Sequence, residues 1–452
     1  MTKRFAHKVF YGWWIVTAAF ITMFVATGFI FYSYGVFLRP IRKEFGASNF
    51  AASMGLPLMN TAMALFSPFL GRVIDAWSIR RIMMLGCCIL AAGFFLAARI
   101  TSMWQFYALI GTLLGLGVVM IGQLASTALV CNWFVKRRGA ALGVATTGVS
   151  MSGMIMGPAT SWLVETHSWR YAFNTFGTLV LIVLLPLVWA IIVTRPSERG
   201  LHPDGATGSS SDDDLQWLAA ARRHAPTHAE FSTAATLRNV TFWGITLSIG
   251  FNFFGMSATL IHMIPHALDL NIAPMQAGYI MTASAGVGVI GKILFGYVAD
   301  YVDARLGLLF CLAFQGAGTV CLLFAHTAPQ LMWVGALFGF GMGGVVPLWG
   351  SLVGDYFPHA SFGRVMGLMS PCMLPIQASG VPFAAWIHDR TEDYYLAFQI
   401  FVTTYAVSAL CLVLVRNPLA GPAFARYQAR LRSAARAEYN RPMPSRVESA
   451  PE

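Results

Sequence analysis

The residue of most chemical interest in this chain is a single lysine in an apolar setting. Lys292 stands in the stretch GVGVIGKILFGYVAD (286–300), which is apolar enough to lie inside a membrane. A charge at that depth costs free energy, and intramembrane charges generally face a cavity and mark the path of a substrate or ion. The chemistry that an ammonium group offers there is electrostatic, because the carboxylate of a ligand would neutralise it.

The depth of Lys292 leaves two interpretations. The residue lies two helical turns before Asp300, about 12 Å at a rise of 1.5 Å per residue. Its long stem could carry the ammonium back to the headgroups, which is the alternative to ligand contact. Gly288 and the other deep positions carry no acid, so the sequence predicts that a ligand, and not a protein side chain, supplies the missing countercharge.

The chain as a whole has the composition of a membrane protein. Of its 452 residues, 57% are hydrophobic and 11% are charged, whereas soluble domains carry about 25% charged residues. Twelve apolar runs are long enough to cross about 30 Å of hydrocarbon, and backbone polar groups in lipid require them to be helices. The sequence thus predicts an all-α membrane protein with twelve spans at 13–38, 51–74, 82–101, 104–131, 139–164, 171–194, 241–265, 275–299, 306–325, 329–352, 365–387 and 394–415.

The basic charge of the chain, +11 overall, reflects its membrane topology. With the N-terminus in the cytoplasm, most of the 30 Lys and Arg residues fall in cytoplasmic segments, as the positive-inside rule requires. We therefore predict a multi-pass protein of the cell (inner) membrane with both termini cytoplasmic. Its partners would include the lipid bilayer and no nucleic acid.

Residue patterns for catalysis or metal binding are not found in the sequence. The seven cysteines have no metal-ligand spacing and are interpreted as packing residues. No Gly-rich phosphate loop and no nucleophile with a base is present. The sequence predicts no cofactor, no metal site and no enzyme activity.

Two stretches indicate that the chain contains a duplicated unit. GRVIDAWSIR (71–80) and GYVADYVDAR (296–305) share the pattern Gly-x3-Asp-x4-Arg at an offset of 225 residues. Two parallel six-helix repeats would enclose a cavity near the membrane midplane. The predicted organisation is an N-terminal six-helix half at 1–194, a cytoplasmic linker loop at 195–240, a C-terminal six-helix half at 241–415 and a basic cytoplasmic tail at 416–452.

The linker and the tail each contain a candidate interfacial helix. DLQWLAAARRHA lies in the linker, and FARYQARLRSAARA lies in the tail with apolar residues at helical spacing. Such segments can lie on an anionic membrane surface. The alternative is a disordered linker in the first case and a solvated tail in the second.

The twelve spans, the long central loop and the two loop motifs resemble the major facilitator superfamily. The second glycine of the superfamily motif is replaced here by Ser78 and, in the second copy, by Asp303. The resemblance implies a major facilitator fold in which Asp75 and Asp300 hold an inter-helix charge network that closes the inward face. The residues expected in this network are Gly71, Asp75, Arg80, Arg138, Gly296, Asp300, Arg305 and Arg364.

A narrower resemblance is to the branch that holds monocarboxylate transporters and the oxalate/formate antiporter. It is carried by the stretches FYSYGVFLRPIRKEFGAS, NWFVKRRGAALGVATTGVSMSG and HMIPHALDL. In that branch a basic residue four positions before the glycine of the second motif binds substrate, and Lys292 stands four before Gly296. The resemblance implies a secondary active transporter, working as a monomer, that moves a small organic anion such as a monocarboxylate by alternating access.

Two departures from that branch bear on substrate and coupling. The oxalate/formate antiporter has a second cation in span eleven, whereas VMGLMSPCMLPIQASGVPFAAWI has no charge here. One cation fits one carboxylate, so a dicarboxylate is disfavoured. Animal monocarboxylate transporters place an Asp that is linked to proton coupling where this chain has Gly288, so protons and a counter-transported anion both stay open as coupling partners.

Further candidates for substrate contact are polar or aromatic residues within the spans. Each alone is more often a packing residue or a helix–helix hydrogen-bond partner than a ligand contact. His262, near the outer end of its span, is a candidate gate or titrating group, with a plain interfacial histidine as the alternative. The substrate-binding candidates besides Lys292 are Tyr32, Tyr34, Asn60, Gln123, Asn252, Trp349 and Gln377.

Two alternative functions stay open. A proton-coupled drug or metabolite exporter would share the fold, and GMIMGP (153–158) matches the Gly-x3-Gly-Pro that such exporters carry in span five. Against it, Gly111 stands where they usually have an arginine, and the spans lack the deep acid that suits cationic drugs. A non-transporting membrane sensor is the second alternative, although the tails show no effector-like domain.

Overall fold

The computed structural model describes residues 10–47, 51, 54–205, 233–357 and 361–415. Over these residues the chain is all-α, and twelve long helices coincide with the twelve predicted spans. Both candidate interfacial helices lie outside the described residues. In chain order the helices are α1 (Gly12–Thr27, Gly28–Tyr32 and Ser33–Phe45), α2 (Gly55–Ala76), α3 (Ile79–Ala97), α4 (Met103–Trp133), α5 (Arg138–Thr166), α6 (Trp169–Ile191), α7 (Val240–Asp269), α8 (Pro274–Val298), α9 (Ala304–Leu322), α10 (Ala328–Tyr356), α11 (Phe362–Thr391) and α12 (Tyr395–Leu414).

The two helices that are less apolar than the others pack against each other between the halves. Ten of the twelve are long and apolar enough to cross a membrane by length and composition, and α2 and α11 are the less apolar pair. These two helices pack against each other across the two halves of the chain. Since part of each surface meets protein and not lipid, neither helix needs an uninterrupted apolar run.

Glycines bring the two halves into backbone contact at two helix pairs. A Cβ added at Gly71 of α2 would lie 2.1 Å from the carbonyl oxygen of Gly363 in α11. In the second pair, a Cβ added at Gly296 of α8 would lie 2.6 Å from the carbonyl oxygen of Gly139 in α5. Small residues at membrane helix interfaces allow such approach. The pairs α2–α11 and α5–α8 therefore form a close contact between the halves.

This contact lies at one end of the bundle, here called the motif end, which carries the two loop motifs at 71–80 and 296–305. Toward the opposite end α5 and α8 diverge. A Cβ added at Gly157 of α5, or at Gly278 or Gly286 of α8, would meet no heavy atom within 4 Å. The halves are thus closed on each other at the motif end and separated along α5 and α8 toward the other end.

The first half contains three π-helical turns, which interrupt the regular hydrogen-bond pattern of α1, α4 and α6. They span Gly28–Tyr32, Ile110–Leu114 and Val180–Leu184. Such turns occur frequently at functional sites. Tyr32, one of the substrate-binding candidates, is the last residue of the first turn.

The close approach at Gly296 predicts that an added methyl group is costly there. Gly296→Ala would force α5 and α8 apart, because the atoms it meets belong to backbone, and overpacking of this kind costs about 1–3 kcal/mol. We expect a lower Tm in a thermal-shift measurement on the purified protein.

The matched control for this substitution is Gly286→Ala, on the same helix but facing open space. Alanine is the better helix former by roughly 0.5–1 kcal/mol, so the control should leave the Tm unchanged or raise it. Equal loss of Tm in both variants would contradict the proposed packing.

Candidate functional site

Lys292 reaches across from one half to the other. Its side chain leaves α8 and is buried, with 7% of the residue exposed. The ammonium Nζ donates to the Ser150 hydroxyl at 2.6 Å and to the Thr146 carbonyl at 3.3 Å, both on α5. The opposite half thus supplies two uncharged acceptors that the sequence did not predict. The prediction that a ligand supplies the countercharge stays a prediction.

Both acceptors are uncharged, so the ammonium keeps its net charge. Within the described ranges no carboxylate forms an ion pair with Lys292, whereas the buried Arg138 is paired with Asp355 at 2.8 Å. An ammonium group has three N–H donors, and two of them have acceptors in this part of the chain. A buried charge is stabilised only when it is paired and hydrogen-bonded, so this position suits an anionic oxygen.

Lys292 also marks where the contact between the halves ends. A Cβ added at Gly143 would lie 2.6 Å from the Lys292 carbonyl oxygen, whereas Gly286, further along α8, faces open space. Ser150 is half-buried at the same level of α5. The ammonium therefore lies next to the gap between the halves, on the side away from the motif end.

The two aspartates of the loop motifs each cap a helix of the opposite half. The Asp75 carboxylate accepts from the backbone N–H of Gly363 at 2.8 Å and of Arg364 at 2.9 Å, at the start of α11. The Asp300 carboxylate accepts from the N–H of Gly139 at 2.6 Å and of Ala140 at 3.1 Å, at the start of α5. A carboxylate at a helix N-terminus is favoured by the unpaired N–H groups and the helix dipole.

Burial and hydrogen bonding shift the pKa of Asp300, which lies in the loop after α8, in opposite directions. Burial raises the pKa of the Asp300 carboxyl, while the bonds from Ala140 and Gly139 lower it. The nearby Asp204 carboxylate raises that pKa further, and the Arg138 guanidinium lowers it. The cap thus holds a carboxylate whose charged form is partly compensated by backbone amides.

Three of the arginines predicted with these aspartates, Arg80, Arg138 and Arg305, bond through their side chains. Arg138 crosses the halves, since it pairs with Asp355 at the end of α10. Arg80 and Arg305 stay within their own halves, donating to the carbonyl oxygens of Trp189 in α6 and Val413 in α12. These two bonds are equivalent under the duplication and join the third and sixth helix of each half.

The backbone of Arg364 supplies one of the N–H groups that bond Asp75, and Gly71 and Gly296 stand at the close approaches described above. Asp355 was not predicted from the sequence, although an acid at the end of a span is an available signal. The gating role of the eight network residues stays a prediction.

Three of the aromatic and polar candidates are buried, and each contacts residues of its own half. Asn252 of α7 donates from Nδ2 to the Gln315 Oε1 of α9 at 3.2 Å, and its buried Oδ1 meets no donor among the described residues. The Trp349 Nε1–H points at the Met369 sulfur at 3.4 Å. Tyr34 packs near Phe106 of α4 with ring centroids 6.3 Å apart. None of these described contacts involves Lys292.

The remaining candidates make no contact with Lys292 among the contacts found for the described residues. Tyr32 is 43% exposed, and its ring covers the place where a Gly153 side chain would be. Asn60 is exposed, and Gln123 and Gln377 are half-buried. Their roles, like those of the buried three, stay predictions.

His262 is buried at the end of α7 away from the motif end. Its Nε2 lies 3.1 Å from the Val381 carbonyl, and its ring is 5.1 Å from that of Tyr394. Its contacts thus lie within the second half, and its role as a gate or titrating group stays a prediction.

The direct neighbours of the ammonium, Ser150 and Thr146, were missed by sequence reasoning. Both lie in the NWFVKRRGAALGVATTGVSMSG stretch, but hydroxyl residues are common in membrane helices and nothing in the stretch points to a partner in the other half. Among the described residues, no group of three or more His, Cys, Asp or Glu side chains could hold a metal ion.

Comparison with known proteins gives a consistent result. A family model described as the Major Facilitator Superfamily matches residues 18–267 and 245–442. Mouse monocarboxylate transporter 12 is 23% identical over 418 residues, which is 90% of this chain and 85% of that protein. Rat monocarboxylate transporter 13 is 24% identical over 396 residues, covering 86% of this chain and 85% of that protein.

Solved structures show the same fold at low sequence identity. The human organic anion transporter MFSD10 (TETRAN) aligns with a TM-score of 0.65 and 16% identity, over 89% of this chain and 99% of that one. A variant of the E. coli fucose:proton symporter FucP aligns with a TM-score of 0.66 and 14% identity, over 89% of this chain and 98% of that one. The resemblance stated from the sequence motifs, and the fold class that it implies, are confirmed.

The two hydrogen bonds to Asp75 predict that loss of its charge makes the motif end more accessible. Cys131 of α4 is 2% exposed and borders a cavity of about 40 Å³ together with Asp75 and Gly363, which is too small for a maleimide. Asp75→Asn weakens two bonds to a charged acceptor, each worth about 1.5–3 kcal/mol. With Cys131 as the sole cysteine, we expect this variant to raise the rate of maleimide labelling about tenfold or more, since 1.4 kcal/mol is tenfold.

The control for this measurement is Asp389→Asn, an exposed acid near the end of α11 away from the motif end. It should leave the labelling rate of Cys131 unchanged. An unaltered rate in Asp75→Asn would show that the cap does not hold the motif end closed.

Proposed function

Because the chain belongs to the Major Facilitator Superfamily, and is thus an integral membrane transporter and not an enzyme, we propose that its substrate is a small organic anion with one carboxylate. The names of its relatives, monocarboxylate transporters 12 and 13, support this class of substrate. The organic anion transporter among the similar structures is in accord with it.

The observation that carries the proposal is the unneutralised charge of Lys292. Of the Lys and Arg side chains in the described part of the chain, those of Arg138 and Lys292 are buried. Arg138 has its carboxylate partner within the protein, and Lys292 has a hydroxyl and a carbonyl oxygen. One ammonium without a carboxylate partner binds one carboxylate, which favours monocarboxylates over dicarboxylates.

Transport follows from alternating access of the Lys292 site to the two sides. In the conformation described, the site adjoins the gap between the halves and the motif end is closed by the Asp75, Asp300 and Arg138 contacts. Substrate enters from the separated end and pairs with the ammonium. The halves, 1–194 and 241–415, then close around it and release the contacts at the motif end.

The orientation that we propose places the motif end, both termini and the linker 195–240 in the cytoplasm of a cell with this protein in its inner (plasma) membrane. It follows from the excess of Lys and Arg in those segments. The conformation described is then outward-open, and the transporter works as a monomer.

Replacement of the lysine tests the proposal. Lys292→Gln keeps much of the length and hydrogen-bonding capacity of the side chain but removes its charge. Loss of one partner of a buried pair costs about 3–5 kcal/mol, so kcat/KM for carboxylate uptake in proteoliposomes should fall by at least about 100-fold. Expression and Tm should be retained, and normal uptake by Lys292→Gln would refute the assignment.

The matched control is Lys43→Gln, an exposed lysine in the last turn of α1, which should transport normally. A thermal-shift series compares a short monocarboxylate such as lactate with the neutral amide of the same acid. Stabilisation by the acid and not by the amide, lost in Lys292→Gln, supports the proposal. Stabilisation by lipophilic cations alone would favour the exporter.

A further inference from the structure

The shortest contact of the Lys292 ammonium is with Ser150, and that contact joins the two halves. The Nζ belongs to α8 and the hydroxyl oxygen to α5, at a separation of 2.6 Å. It lies at the edge of the region where these helices touch, since α5 and α8 have diverged by Gly157 and Gly286. The bond therefore depends on how closely the halves approach each other.

The hydroxyl of Ser150 differs from those of its neighbours on α5. Thr146, Thr147 and Ser152 each donate to a carbonyl three or four residues earlier on the same helix. In the contacts found for the described residues, the Ser150 hydroxyl bonds to Lys292 instead. Its oxygen is thus directed at the ammonium of the opposite half, and not committed to the local helix as is usual for such residues.

Resting on the function proposed above, we propose that Ser150 is a positioning residue that stabilises the Lys292 charge when no substrate is bound. A transporter that completes net transport must return with its site empty. During that return the site is closed to water on both sides, and the ammonium has no carboxylate. The Ser150 hydroxyl, together with the Thr146 carbonyl, then supplies the acceptors that the ammonium needs.

The loaded transporter has a different requirement. A bound carboxylate neutralises Lys292 and accepts its hydrogen bonds, so the contribution of Ser150 becomes small. Removal of the hydroxyl should slow the return of the empty site and leave the passage of the loaded site nearly unchanged. Net uptake needs both steps, whereas exchange of external for internal substrate needs only the loaded one.

The test measures both modes in proteoliposomes with labelled lactate. Net uptake uses empty vesicles, and exchange uses vesicles preloaded with unlabelled lactate. For Ser150→Ala we expect net uptake to fall about tenfold or more, as for a lost hydrogen bond to a charged group, with exchange within about twofold of wild type. Ser150→Thr keeps the hydroxyl and should restore net uptake, and Ser152→Ala, a neighbouring back-bonded serine, should change neither mode.

Two results would overturn the inference. Equal loss of net uptake and exchange in Ser150→Ala would mean that the residue serves the structure or the loaded site. Unchanged net uptake would mean that the ammonium does not need this acceptor.

A second measurement separates this inference from the proposed function. The Tm of substrate-free Ser150→Ala, Lys292→Gln and the double variant forms a double-mutant cycle that requires no transport. A smaller effect of Ser150→Ala in the Lys292→Gln background supports the pair, and additive effects overturn it. Absence of transport of every short monocarboxylate in a panel that includes lactate, in both modes of the wild type, would overturn the proposed function, whatever the cycle shows.

Discussion

The ammonium group of Lys292 meets a hydroxyl and a carbonyl oxygen of the opposite half, and the surrounding structure is arranged so that it can. The lysine stem crosses from α8 to α5 because Gly143 and Gly296 let the two backbones touch. A side chain at either glycine would separate the helices and withdraw the acceptors. The buried charge is thus tied to the closed state of the motif end.

Most contacts of the motif end occur twice because the chain is duplicated, whereas the buried lysine occurs in one half. Asp75 caps α11 as Asp300 caps α5, and Arg80 bonds α6 as Arg305 bonds α12. In the first half, the residue equivalent to Lys292 is Ser67, whose hydroxyl donates to Met63 of its own helix. The two halves share the aspartate caps and the arginine bonds, but only the second half carries a buried lysine at this position.

The closing contacts are mostly carboxylates bonded to backbone amides, with one ion pair in which Arg138 is buried and Asp355 is exposed. Amides at a helix start are fixed in direction and cannot move to water, so a carboxylate that meets two of them is well placed only while the helices stay in register. Arg138 and Asp355 add a charge pair at the same end. Opening of that end, which the proposed transport cycle requires, would exchange these bonds for bonds to water.

The sequence by itself determined the elements and the unusual residue. Twelve apolar runs in lipid must be helices, the repeated Gly-x3-Asp-x4-Arg located equivalent loops, and a lysine in an apolar span is visible without coordinates. Only the tertiary structure decided what the lysine touches. Ser150 and Thr146 lie about 140 residues away on a helix of the other half. Asn252 and Trp349, which the sequence also offered as candidates, contact partners in their own half. Periodicity and hydropathy show which segments are helices that lie in lipid. Which helices contact each other, and through which residues, depends on packing between segments that are distant in the sequence.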